Sequence, residues 1–215
     1  FFFFSFGKYT VALDGESYGG HNLYFQAFRN TEHWKSYIKL RDISPNFRTD
    51  LGFVVKNNRR WATVYHLYQN ISDRKGLQSY GFGTKADINY TFQGYLKNVS
   101  LDGIFQIKTF GNTDMSFTYD WDIFKNYLGV DYRYLGALQW EVTSRASEQL
   151  IVDISMLWGR DLAYNEEIPD RGRAFNFFTS LTYQLSDQFS INPSIRYGQL
   201  KRLDTDQFFF KGSIS

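Results

Sequence analysis

The chain has no cysteine, which removes both a disulfide framework and a thiolate metal site. It has only 3 prolines and 3 histidines in 215 residues. The histidines, His21, His33 and His66, are scattered, and neither a His-Glu-x-x-His helix nor a Gly-x-Ser-x-Gly elbow occurs. No metal or cofactor site follows from this set. Long apolar runs are missing too. No window approaches the ~18 residues of a transmembrane helix, so any crossing of a membrane must use strands. Neither sign of charge dominates: the net charge is +2, the pI is near 8.6 and the charges are interspersed. That pattern leaves no nucleic-acid footprint. Phe1–Phe6 is apolar but has no initiating Met and no basic n-region, so it reads as part of a strand and not as a signal peptide.

What the chain has in abundance is aromatic residues, 16 Tyr, 22 Phe and 5 Trp, in a sequence that is hydrophilic on average. Transmembrane β-barrels combine these properties. Only alternate residues meet lipid, while Tyr, Trp and Phe gather at the two interfaces.

Alternation is plainest from Tyr80 to Leu96. Tyr80, Phe82, Thr84, Ala86, Ile88, Tyr90, Phe92 and Leu96 share one parity, and Gly81, Gly83, Lys85, Asp87, Asn89, Thr91 and Gln93 share the other. A period of two means a β-strand. Its length exceeds the ~5–6 residues usual in globular proteins and suits a tilted crossing of hydrocarbon, which takes ~9–11. Similar patterns recur before and after it, with Asp14–His21 and Asp42–Asn58 as loops and Trp61–Ile71 a strand of mixed parity. From Leu128 to Arg145 one parity carries Val130, Tyr132, Tyr134, Leu138, Trp140 and Val142. The last strands carry Phe189, Ile191, Ile195 and Tyr197, then Phe208, Phe210, Gly212 and Ile214.

About twelve strands result, an even number fitting an all-β, antiparallel transmembrane β-barrel in a single domain, 1–215. Alternate connections differ in length. Asn30–Glu32, Asn70–Gly76, Gly111–Asp114, Ala146–Gln149 and Ser186–Gln188 are short, whereas Asp14–His21, Asp42–Asn58, Ala163–Gly172 and Lys201–Asp206 are long. Outer-membrane barrels show this asymmetry between periplasmic turns and outer loops. A large soluble antiparallel sheet also alternates, but strand length, aromatic content and loop asymmetry together favour the membrane.

The polar parity supplies the expected lumen-lining residues: Lys85, Asp87, Asp102, Lys108, Asp131, Arg133, Glu141, Arg145, Asp153 and Arg196. They either set a pore's selectivity or pair across the lumen and plug it, and for a barrel of this size side chains fill much of the space. Loops carry function on barrels, which makes Pro45, Phe47, Arg48 and Phe53 in the longest loop, and Glu166, Glu167, Asp170 and Arg171 in the charged one, the candidate contact residues. Phe47 and Phe53 have the alternative of tucking into the barrel mouth. His66, mid-strand near Asn70 and Ser72, is the one candidate for hydrolase chemistry, and a packing role is the simpler reading. Gly81-Phe82-Gly83 is no phosphate loop, because no helix follows it.

Leu23–Phe28, the strand around Trp34, the run Ile43–Val54 (Ile-Ser-Pro-Asn-Phe-Arg-Thr-Asp-Leu-Gly-Phe-Val) and the basic stretch Lys56–Arg60 resemble one bacterial family. Leu181–Ser186 and Ile195–Tyr197 resemble its paired late strands. These are large envelope proteins, common in Bacteroidetes, in which an N-terminal carbohydrate-binding module of family nine precedes a β-rich domain of unknown function. The resemblance implies a Gram-negative outer-membrane location. Nothing here resembles the sugar-binding module, so any link to glycan would run through a domain not present in this chain. The abrupt Phe1 start, and an end at Ser215 without a terminal aromatic, lead us to expect part of a longer barrel whose strand count exceeds twelve.

The function expected is a non-enzymatic outer-membrane barrel that anchors or scaffolds a cell-envelope complex, with lipid and other envelope proteins as partners. A passive or glycan-related pore is the alternative, and an outer-membrane hydrolase a third reading.

Overall fold

The computed structural model describes residues 2–13, 16–47, 57–72, 74–109, 111–164, 167, 169–205 and 207–214, with the backbone alone at 2–13, 16–18 and 213–214. Every regular element is a strand: β1 (Phe2–Leu13), β2 (Glu16–Asn30), β3 (Trp34–Ile43), β4 (Arg59–Ile71), β5 (Leu77–Tyr90), β6 (Leu96–Thr109), β7 (Thr113–Tyr127), β8 (Val130–Arg145), β9 (Leu150–Leu162), β10 (Arg171–Ser186), β11 (Phe189–Ile191), β12 (Ser194–Arg202) and β13 (Phe208–Ile214). They form one antiparallel sheet in which each strand lies beside its neighbours in the chain. Both β11 and β12 pair with β10, on either side of Asn192-Pro193, so they make a single interrupted strand and the sheet is twelve strands across. Proline has no N–H for the ladder, and the gap is bridged by the Leu181 N–H donating to the Pro193 carbonyl at 3.0 Å. The strand order is open, with β1 and β13 at its ends.

Two compact units divide the residues: Phe1–Leu67, Thr84–Leu101 and Asp122–Arg133 in the first, Tyr68–Gly83, Asp102–Trp121 and Tyr134–Ser215 in the second. In the first unit Leu23 pairs with Asp42, Phe25 with Leu40 and Ala27 with Ile38, which puts these side chains on one face and Tyr24, Gln26, Lys39 and Arg41 on the other. In the second unit Thr143, Asp153 and Ser180 are in register on one face, while Val142, Ile154 and Thr179 share the opposite one.

Several expectations need correction. The strand starting near Tyr80 ends at Tyr90, because Thr91–Tyr95 form a turn. The Thr91 N–H donates to the Tyr95 carbonyl at 2.8 Å, and Gly94 supplies the φ of 91° that the turn requires. Leu96 belongs to the next strand and kept the apolar parity only by coincidence. Asp14–His21 is not a long loop either, since β2 begins at Glu16 and runs through Gly19-Gly20. Gly20 is there for a close approach, not for a turn: a Cβ on it would lie 2.5 Å from the Cα of Phe47. Leu128 begins no strand. It and Gly129 both have positive φ, 51° and 84°, and make the two-residue turn between β7 and β8.

The parity of β8 also slips. Tyr134 has a left-handed φ of 58°, and the buried Tyr132 and Leu135 are three apart where a regular strand would space them by two. Tyr132 therefore does not share an exposed row with Leu138 and Trp140. In β13, Phe210 pairs with Leu200, Gly212 with Gly198 and Ile214 with Arg196. Phe210 and Gly212 thus share the face of Asn176 and Arg196, with Phe210 beside an open hollow of about 490 Å³, whereas a register shift sets Phe208 opposite Lys201.

Candidate functional site

At several places on the sheet a large apolar side chain is exposed while a polar one on the opposite face is buried. On β5, Phe82 is 52% exposed, whereas Ser79 is 7% exposed. Val64 lies exposed on β4 while Thr63, next to it, is 7% exposed.

In the second unit the exposed face carries a row of rings on five consecutive strands, β4 to β8: Tyr68, Phe82, Phe105, Phe117 and Trp140. Their centroids are spaced 6.2, 6.2, 6.2 and 6.1 Å apart, the spacing of cross-strand neighbours. Apolar parity on each strand, held in register by the ladders, lines them up.

The polar face is held by local contacts. In the first unit Lys85 Nζ lies 2.7 Å from Asp87, which also accepts a hydrogen bond from the Thr63 hydroxyl. Asn126 takes a hydrogen bond from Lys97 at 2.7 Å and donates one to Asp131 at 2.7 Å. The Arg133 guanidinium stands 5.8 Å from the Phe124 ring. In the second unit Asp153 accepts from Thr143 at 2.8 Å and from Ser180 at 3.3 Å, tying β8, β9 and β10 together. Glu141 accepts from Gln139 at 2.7 Å and Ser116 at 3.4 Å. Lys108 meets Asp114 at 3.6 Å, Arg196 lies over Phe178, Asp102 is buried and Arg145 is exposed. The residues expected to line a lumen therefore sit in separate local networks; Glu141, Ser155, Phe178 and Arg196 follow one another across the ladders.

Among the expected contact residues, Phe47 is 4% exposed against Gly20, so it anchors its loop and presents no contact surface. Pro45 is half-buried. Glu167, Asp170 and Arg171 are exposed, and Asp170 is held by Arg202 at 3.7 Å. Arg48, Phe53 and Glu166 lie outside the described residues.

His66 does not turn to Asn70 or Ser72. Its Nδ1 is 2.7 Å from the Ser36 hydroxyl, and its ring stacks on Trp34 at 4.9 Å. A nucleophilic serine needs its histidine oriented by a further group; among the described residues His66 has only the indole besides Ser36.

Two positions that the sequence reading passed over stand out in the first unit. The Arg59 guanidinium lies 4.0 Å and that of Arg41 5.0 Å from the Trp61 ring. The two arginines lie far apart in the chain, and the pairing of β3 beside β4 brings Arg41 to Arg59. No metal-ligating cluster occurs among the described residues. No protein-family model, curated protein or solved structure matches the chain.

Proposed function

We propose that this sheet is the wall of a transmembrane β-barrel in a Gram-negative outer membrane, and that it serves as the membrane anchor or scaffold subunit of an envelope complex. The exposed large apolar side chains carry the reading. An exposed face bearing Phe82, Phe105, Val64 and Leu40 would cost a protein in water much of its solubility, since soluble monomers rarely expose large apolar patches. In a bilayer the same face is solvated by lipid, and the aromatic row would form part of an interfacial or lipid-facing band. The polar face, with Asp87, Asp153 and Glu141 each bonded locally, suits an interior filled by its own side chains. Membership of the Bacteroidetes envelope family, with glycan reached through a domain outside this chain, belongs to the same proposal.

A pore is the second reading, favoured by one observation: Lys39, Arg41 and Arg59 meet no carboxylate among the described residues.

The test is a nitroxide scan along Leu77–Tyr90 in reconstituted vesicles. Collision with oxygen, which partitions into lipid, should peak at Phe82, Ala86 and Ile88, and collision with a water-soluble nickel chelate at the positions between. Equal access of the nickel chelate to both parities would sink the membrane assignment. Mild-detergent extraction with stoichiometric protein partners would favour the scaffold, and steady conductance without partners the pore.

A further inference from the structure

We propose that Arg41 and Arg59, gathered against Trp61, form a binding site for a single oxyanion group, a phosphate or a carboxylate, on the polar face of the first unit. The argument begins with charge. Arg41 belongs to β3 and Arg59 opens β4, so the pairing of those strands brings together two guanidiniums that the sequence separates by a long loop. Both lie over the same indole, at 5.0 and 4.0 Å. Arg41 also stands 6.0 Å from the Tyr24 ring, and Lys39 adds a third cation over Tyr37 at 4.4 Å. Aromatic faces position such cations but neutralise none of them.

Among the described residues, acceptors are scarce around this cluster. Asn22 takes one hydrogen bond from Arg41 Nε at 3.0 Å. Arg59 Nε is buried without a hydrogen-bond partner among the described residues. The adjacent acid, Asp42, is on the opposite face with Leu23 and Leu40 and is engaged by Arg60 at 3.1 Å and His21 at 3.5 Å. Lys85 and Asp87 satisfy each other. An arginine fork offers five donors in a plane that matches phosphate and carboxylate oxygens. Two guanidiniums against one ring, with no carboxylate partner among the described residues, are arranged for an acceptor from outside. Neutralising both at once also removes their mutual repulsion.

The site does not depend on the membrane assignment, and its test is kept separate. The folded protein in a neutral detergent is titrated calorimetrically with sodium phosphate and, separately, with sodium acetate. Saturable binding of either is expected, and which one binds identifies the group. Arg41→Gln or Arg59→Gln should each weaken it by about tenfold, the value of a lost charge-assisted contact. Arg60→Gln, on the apolar face, should leave it unchanged. Arg59→Lys retains the charge and should preserve most of the binding, which covers the case in which Arg59→Gln fails to fold. Absence of saturable binding by both anions, or equal weakening by Arg60→Gln, would overturn the proposal.

Discussion

Phe47 rests directly on Gly20, so closely that a Cβ at Gly20 would lie 2.5 Å from the Phe47 Cα and 2.6 Å from its nitrogen. Residues 44–47, just after β3, are thereby folded back over β2, and Ser44 fastens them by accepting the His21 N–H at 2.8 Å. Gly20→Ala should cost about 1–3 kcal/mol, the range for forcing a methyl group into filled space. Urea unfolding in detergent measures it. Gly19→Ala is the matched control, because its Cβ would meet nothing within 4 Å; equal effects at both positions would remove the explanation.

Phe82→Arg separates the two environments open to the exposed face. In a bilayer an arginine at mid-depth costs about 2–4 kcal/mol, whereas a water-facing substitution stays within roughly 0.5 kcal/mol. Unfolding from lipid vesicles should give the larger figure. A neutral result would count against lipid contact at this position.

Asp153 accepts from hydroxyls on both flanking strands, Thr143 on β8 and Ser180 on β10. Asp153→Ala should destabilise by about 1–3 kcal/mol, since hydrogen bonds to charged groups exceed neutral ones. The shorter bond should dominate. A double-mutant cycle with Thr143→Val should return a larger coupling than one with Ser180→Ala.

Leu128 occupies a left-handed conformation with its side chain 70% exposed, so it bears backbone strain and contributes little packing. Leu128→Asn should stabilise the protein by about 0.5–1 kcal/mol, because Asn-Gly is the preferred pair for a two-residue hairpin turn. A loss of stability would mean that Leu128 makes contacts the free chain does not reveal.

Strand existence was legible in the sequence because a period of two is a local property: Phe82 and Lys85 announce their faces without reference to anything distant. Boundaries were less legible. Glycine has two uses, and Gly94 makes a turn while Gly20 permits a contact with Phe47, a residue far along the chain. Tyr134 carries no turn signature, so the slip in β8 was invisible to alternation alone. The polar residues were recognisable as a class, but their partners were not, since Asp153 meets Ser180 only through the register of two ladders. The pairing of Arg41 with Arg59 on Trp61 escaped for the same reason: it joins residues on either side of the longest connection.

The strand order has a kinetic consequence. Every strand lies beside its immediate neighbour in the chain, with the β11–β12 interruption bridged inside one hairpin. Each ladder therefore closes only the connection that precedes it, and the entropic cost of such closures is small. A meander of this kind can grow hairpin by hairpin, with each formed edge serving as the template for the next strand, and its low contact order favours speed. Any ladder between strands distant in the chain would instead have to close a long loop, and it would be the last to form and the first to open.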